Sequence, residues 1–144
     1  ASLAYTVFFQ PLTWRILMSH MSTVDGVAIT DITAMAAAAQ QSGGTLVIDA
    51  GNWSTREFGQ QAAAHAIRFD GETDEIGLTR EGDGSHRVRY AYGVHRLGSV
   101  GRNATQLVKR YAAIAGKRQL AREGVRNARI VEHADGRVQL IAIT

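Results

Sequence analysis

EIGLTREGDGSHRVRYAYGV, residues 75–94, decides the fold. Apolar and polar side chains alternate on both sides of Asp83-Gly84. That dipeptide is a strong hairpin signal, because glycine takes the positive φ that a tight connection between two strands demands. Before the turn, Ile76 and Leu78 share a face. After it, His86, Val88, Tyr90, Tyr92 and Val94 share one face and Arg87 and Arg89 the other. A period of two with one apolar face describes antiparallel strands covered on one side.

Working upstream, AHAIRFD (64–70) alternates in the same way and turns at Asp70-Gly71-Glu72, and TLVID (45–49) reads as a short strand. Between them, Ala50 to Ser54 reads as a loop around Trp53, and 58–64 fits helix or strand equally. VDGVAI (24–29) reads as a strand, after which Thr30 or Asp31 caps a helix carrying Ile32, Met35, Ala36 and Ala39 at helical spacing and ending at Gly43-Gly44. Downstream, Leu97 to Arg102 is a glycine-bearing loop. Asn103 then caps a second helix, with Gln106 in the capping-box position and Leu107, Val108, Tyr111, Ile114 and Ala115 as its apolar stripe. Gly124 stops it, and 128–144 is a closing hairpin turned by Asp135-Gly136.

The order β-α-β-β-β-β-α-β-β is dominated by hairpins. It implies an α+β domain over residues 18–144, a mostly antiparallel sheet with two helices packed on one face. The predicted core is Ile32, Met35, Val47, Ile67, Ile76, Leu78, Val88, Tyr90, Leu107, Tyr111, Ile114, Ile130, Leu140 and Ile143.

Residues 1–17 stand apart from this pattern. They carry Tyr5, Phe8, Phe9 and Trp14 with almost no charge, ahead of Met18-Ser-His-Met, which itself looks like a protein start. A solvated disordered arm is not made of such residues. The segment reads as an apolar anchor that buries against a partner, with Arg15 beside the aromatics suiting a membrane-interface position. A homo-oligomer and packing back on its own sheet are the alternatives. Gln10, Pro11 and Arg15 interrupt it well short of a membrane span, which leaves at most a membrane-surface contact. The initial Ala1 fits removal of an upstream targeting peptide.

The chain has 144 residues and no cysteine, so disulfides and thiolate metal sites are excluded. Its net charge of +3 is unevenly placed: from Arg102 onward nine Lys/Arg face three acids, leaving seven bases and ten acids before it. The C-terminal half therefore offers a cationic surface to an acidic partner, with Lys109, Arg110, Lys117 and Arg118 as the candidate residues on the second helix.

Met18-Ser19-His20 with Ser22-Thr23, Asp31-Ile32, Ile76-Gly77-Leu78 with Asp83-Gly84, Asn103, Gln106-Leu107, Arg110-Tyr111-Ala112 and Asp135-Gly136 recur in an order that resembles the hypothetical chloroplast open-reading-frame thirty-five family. The resemblance covers residues 18–144. The N-terminal extension, the alanine-rich first helix and the loop at 97–102 depart from it. It implies a plastid or cyanobacterial setting and no chemistry. With the aromatic segment and the cationic helix, it points to a non-catalytic accessory subunit on the stromal face of the thylakoid membrane, docked on a photosynthetic complex of photosystem type.

No nucleophile–base set, metal-ligand set or cofactor motif is present in the sequence, so the expectation is no enzyme, no metal and no cofactor. His20, His65, His86, His95 and His133 lack zinc-site spacing, and His86 on an apolar face reads as a hydrogen-bonded structural histidine. The acid pairs Asp74-Glu75 and Glu81/Asp83 fall in turns, away from the burial that separates the two pKa values of a catalytic pair. GSVGRN (98–103) lacks the Lys-Ser/Thr ending of a phosphate loop, although amides at a helix start can hold an anion. Asn52-Trp53-Ser54 satisfies the N-glycosylation pattern by chance. The alternative function is a single-stranded RNA-binding module using Arg87, Arg89 and the basic second helix, with Tyr90 and Tyr92 as the aromatics to weigh.

Overall fold

The computed structural model describes residues 2–6, 13–16, 21–25 and 28–143, with side chains from 28 to 142. In chain order the elements are β1 (Ser2–Thr6), β2 (Thr13–Ile16), β3 (Met21–Asp25), α1 (Ile32–Gln41), β4 (Thr45–Val47), β5 (Asn52–Thr55), β6 (Gly59–Ala62), β7 (His65–Arg68), β8 (Ile76–Arg80), β9 (His86–Ala91), α2 (Thr105–Arg122), β10 (Ala128–Glu132) and β11 (Val138–Ile143). Every strand pairing is antiparallel. The fold is α+β.

The central hairpin forms around Asp83-Gly84 with Leu78 opposite Val88 and Gly77 opposite Arg89. It sits in the middle of a six-stranded sheet ordered β2-β3-β9-β8-β7-β4. Ile67, Ile76, Leu78, Val88 and Tyr90 point from one face of that sheet into a core completed by Met35, Ala38 and Ala39 of α1 and Leu107, Val108 and Tyr111 of α2. The alanines keep α1 thin enough to lie close to the strands. A second sheet, β1-β11-β10, packs on the far side of α2, where Ala128, Leu140 and Ala142 meet Leu120, Val125 and Ile130. Gly116 lets that sheet approach: a Cβ there would stand 3.1 Å from a Leu140 methyl.

Asp31 caps α1 through its carboxylate, which accepts from the Ala34 amide at 3.0 Å. The start of α2 differs from the expected capping box. Asn103 is left-handed (φ 58°), makes no side-chain cap, and Gln106 turns to Glu132. The Val100 carbonyl instead accepts from both the Gln106 and Leu107 amides, at 2.9 and 3.1 Å.

Other expectations shift in the same local way. The strand read over 24–29 is β3, ending at Asp25, and Ile29 joins the sheet by a single bridge to His86. Trp53 is buried (1% exposed) on β5, not in a loop, and 59–62 is its partner strand β6. Tyr92 is 80% exposed because β9 ends at Ala91 and Gly93 (φ 90°) swings the chain off the sheet. Of the predicted core, Ile32, Val47, Ile114 and Ile130 are half-buried, Ile143 lies outside the described side chains, and the remainder are buried.

The segment read as a separate anchor contributes strands to the domain. Ser2–Thr6 pairs along β11, and Thr13–Ile16 pairs along β3. Phe8 and Phe9 lie outside the described residues. The backbone pairing follows the alternative of the segment returning to its own sheets.

Candidate functional site

Of the four candidate basic residues on the second helix, Lys109, Arg110, Lys117 and Arg118, two are committed internally. The Arg110 side chain is 11% exposed, and its guanidinium donates to Ser42 Oγ (2.8 Å), to the Ser99 carbonyl (2.7 Å) and to Ser99 Oγ (3.0 Å). It also donates to the Glu132 carboxylate, 2.9 Å from its Nη2. The cluster ties the end of α1, the 97–101 loop, α2 and β10 together. Burial pushes the Glu132 carboxyl up, but hydrogen bonds from Arg110 and Gln106 outweigh it and hold it below its usual range. Arg118 donates to Asp31 at 2.7 Å, and Arg122 lies 3.7 Å from the same oxygen. Burial likewise raises Asp31, and the Ala34 amide with Arg118 reverses the shift.

Lys109 is half-buried and Lys117 exposed. At 3.6 residues per turn, Lys109 and Arg118 stand about 180° apart on α2, so the four do not form one basic face. The cations left exposed without an acidic partner among the described residues include Lys117, Arg126 and Arg129, Arg96 and Arg102 near the start of α2, and Arg56 and Arg80 in the first half of the chain. Tyr5, Trp14 and Arg15 lie on β1 and β2, which hydrogen-bond along β11 and β3.

The loop at 98–103 is not built as an anion cradle. The amides that would point at an anion, those of Gln106 and Leu107, are taken by the Val100 carbonyl, and the Ala104 amide by Gly101. Gly98 packs tightly on the Ser42 carbonyl, which explains a residue without a side chain there.

His86 differs from the hydrogen-bonded structural histidine that was expected. It is buried (6% exposed), and neither ring nitrogen has a hydrogen-bond partner among the described residues. His65 lies against it across β8, with ring centroids 4.9 Å apart. The Asp49 amide donates to His65 Nδ1 at 3.0 Å, so in the neutral ring the proton sits on Nε2 and no lone pair remains there for a metal. Burial and the neighbouring His86 push the His65 pKa down, Arg80 adds to this, and Asp49 opposes it. Among the described residues, no three His, Asp or Glu side chains are grouped to hold a metal ion.

The turn carboxylates are occupied in local structure. Asp74 accepts from the Arg56 amide, Glu75 from Ser54 and Arg68, and Asp83 from Ser85. Asn52 is exposed on β5.

The sheet face opposite the helices carries Arg87 and Arg89, the arginines of the RNA-binding alternative, beside a Trp53–Gly77 contact that sequence reasoning passed over. The β5–β6 hairpin lies over β7 and β8 with Trp53 against Gly77, where a Cβ would come within 2.6 Å of the indole. Gly77 is paired with Arg89, whose Nε is buried and has no hydrogen-bond partner among the described residues. Two residues along the same face, Arg87 pairs with the half-exposed Glu81 at 3.0 Å. Tyr90, the next residue after Arg89, is buried (2% exposed) on the other face, so it offers no stacking platform for bases. The signal for this face was in the alternation itself: an arginine opposite a glycine, both pointing away from the apolar face. Compared with known protein families, curated proteins and solved structures, the chain matches none.

Proposed function

We propose that this protein is a non-catalytic accessory subunit that docks on a larger assembly through cationic side chains meeting an acidic surface. The observation that carries the reading is the set Lys117, Arg126 and Arg129, exposed and without an acidic partner among the described residues. Exposed, unneutralised charge of one sign steers association and fixes orientation more than it adds affinity. The assigned acids nearby, Asp31, Glu132 and Asp135, already serve Arg118, Arg110 and Arg137. The setting comes from the family resemblance: the stromal face of the thylakoid membrane, on a photosynthetic complex of photosystem type.

The test is sedimentation of the intact chain with thylakoid membranes across salt concentration. The expected result is binding at low salt, released as ionic strength rises, and lost in the variant K117E/R126E/R129E. Equal binding by the charge-reversed variant contradicts the reading.

A further inference from the structure

We propose that the outer face of β9 is a binding site for an extended acidic peptide segment, with Arg89 and Arg87 each receiving a carboxylate. This rests on the docking reading and assigns it a second, specific contact.

A guanidinium cannot shed its charge, and one left half-buried without a counter-ion is costly to the fold. Arg89 is in that state: half-buried, its Nε covered, with no hydrogen bond or ion pair among the described residues. The Trp53 indole fills the space above Gly77, the cross-strand neighbour of Arg89, and walls the guanidinium on the β8 side with an apolar ring and no counter-charge. A carboxylate there would take up the fork of donors in a bidentate pair. Arg87 stands two residues along, about 6.6–6.8 Å away by strand rise. Its link to Glu81 joins side chains that are 41% and 38% exposed, a pair that costs little to exchange. The hydroxyl of Thr79, opposite Arg87, lies on the same face.

An extended peptide presents alternate side chains at that same two-residue repeat, so acids at positions i and i+2 match both arginines. Single-stranded RNA fits less well, because Tyr90 and Trp53 are both buried and the exposed Tyr92 lies beyond the end of β9, off the sheet.

The experiment titrates the intact chain with the peptide Ac-TEVEVET-NH2 at low salt and follows tryptophan fluorescence in a W14F background, where Trp53 is the reporter. Binding should be saturable and should weaken tenfold or more in Arg89→Leu, severalfold in Arg87→Gln, and not at all in Arg137→Gln, at the distant β10–β11 turn. The thermal midpoint of Arg89→Leu should equal or exceed that of the parent, because an uncompensated charge has been removed; a merely structural arginine would show the reverse. A peptide with lysines in place of the glutamates should not bind. Peptide binding that ignores Arg89, or an Arg89-dependent preference for oligouridylate over the peptide, overturns the proposal. If the site fails while salt-sensitive membrane sedimentation persists, the docking reading stands without it.

Discussion

Gly77 has no side chain, and the indole of Trp53 occupies the place where one would be. The two positions are a single packing unit, so each predicts the other's mutational cost. Gly77→Ala drives a methyl into the ring and should destabilise by about 1–3 kcal/mol. Trp53→Ala empties the site and should cost about 3–5 kcal/mol. Urea unfolding measures both, and the double variant should cost less than the sum, since the added methyl no longer meets the ring. His65 supplies the pH dependence at this scale. Its pKa is depressed from 6.5 in the folded chain, so the unfolded chain takes up the proton first. Stability is therefore fully present above about pH 6.5 and declines as pH falls below it. A urea midpoint measured from pH 8 to pH 5 should fall over that window. In His65→Gln the decline should be shallower, and an unchanged slope would remove His65 as its source.

Two side chains hold the helices in place, and both act at element ends. Asp31 caps α1 and receives Arg118 from α2, which joins the start of one helix to the end of the other. Asp31→Ala should cost about 1 kcal/mol through the cap, while Arg118→Gln, an exposed ion-pair loss, should cost a few tenths. Arg110 links α2 to the end of α1, the 97–101 loop and β10, so Arg110→Ala removes its bonds to Ser42, Ser99 and Glu132 at once and should cost about 1.5–3 kcal/mol. Glu132→Gln should cost less, its side chain being 41% exposed. Chemical denaturation of the four variants checks the ranking. These links explain which elements were legible. The alternation in 75–94 and the Asp31 cap are local signals, and they read correctly. The cap of α2 comes from the Val100 carbonyl, three residues before the expected Asn103-Gln106 box, a contact set by loop geometry that no side-chain spacing reports. Trp53 looked like loop because its strand is short and its partner β6 is polar; the glycine that receives it lies 24 residues away, in β8.

At the scale of the whole molecule, α2 is the shared wall of two sheets, which is why its polar side chains are spread around it and not gathered on one side. The basic count in the C-terminal half was visible in the sequence. Which of those charges are free was not, because pairing of Arg110 with Glu132 and of Arg118 with Asp31 depends on tertiary placement. Residues 1–17 likewise read as an anchor from composition, whereas backbone register puts β1 along β11 and β2 along β3. Removing residues 1–17 should then uncover strand edges and promote self-association, seen as concentration-dependent oligomers in light scattering. A truncated chain that stays monomeric with unchanged stability would contradict those pairings. The docking claim is tested most directly by the mass of the native particle carrying the chain, purified at low salt from its own cells. The account predicts a particle far heavier than the 15.6 kDa chain, and free chain when Lys117, Arg126 and Arg129 are reversed to glutamate. An unaltered chain recovered alone at 15.6 kDa would contradict it.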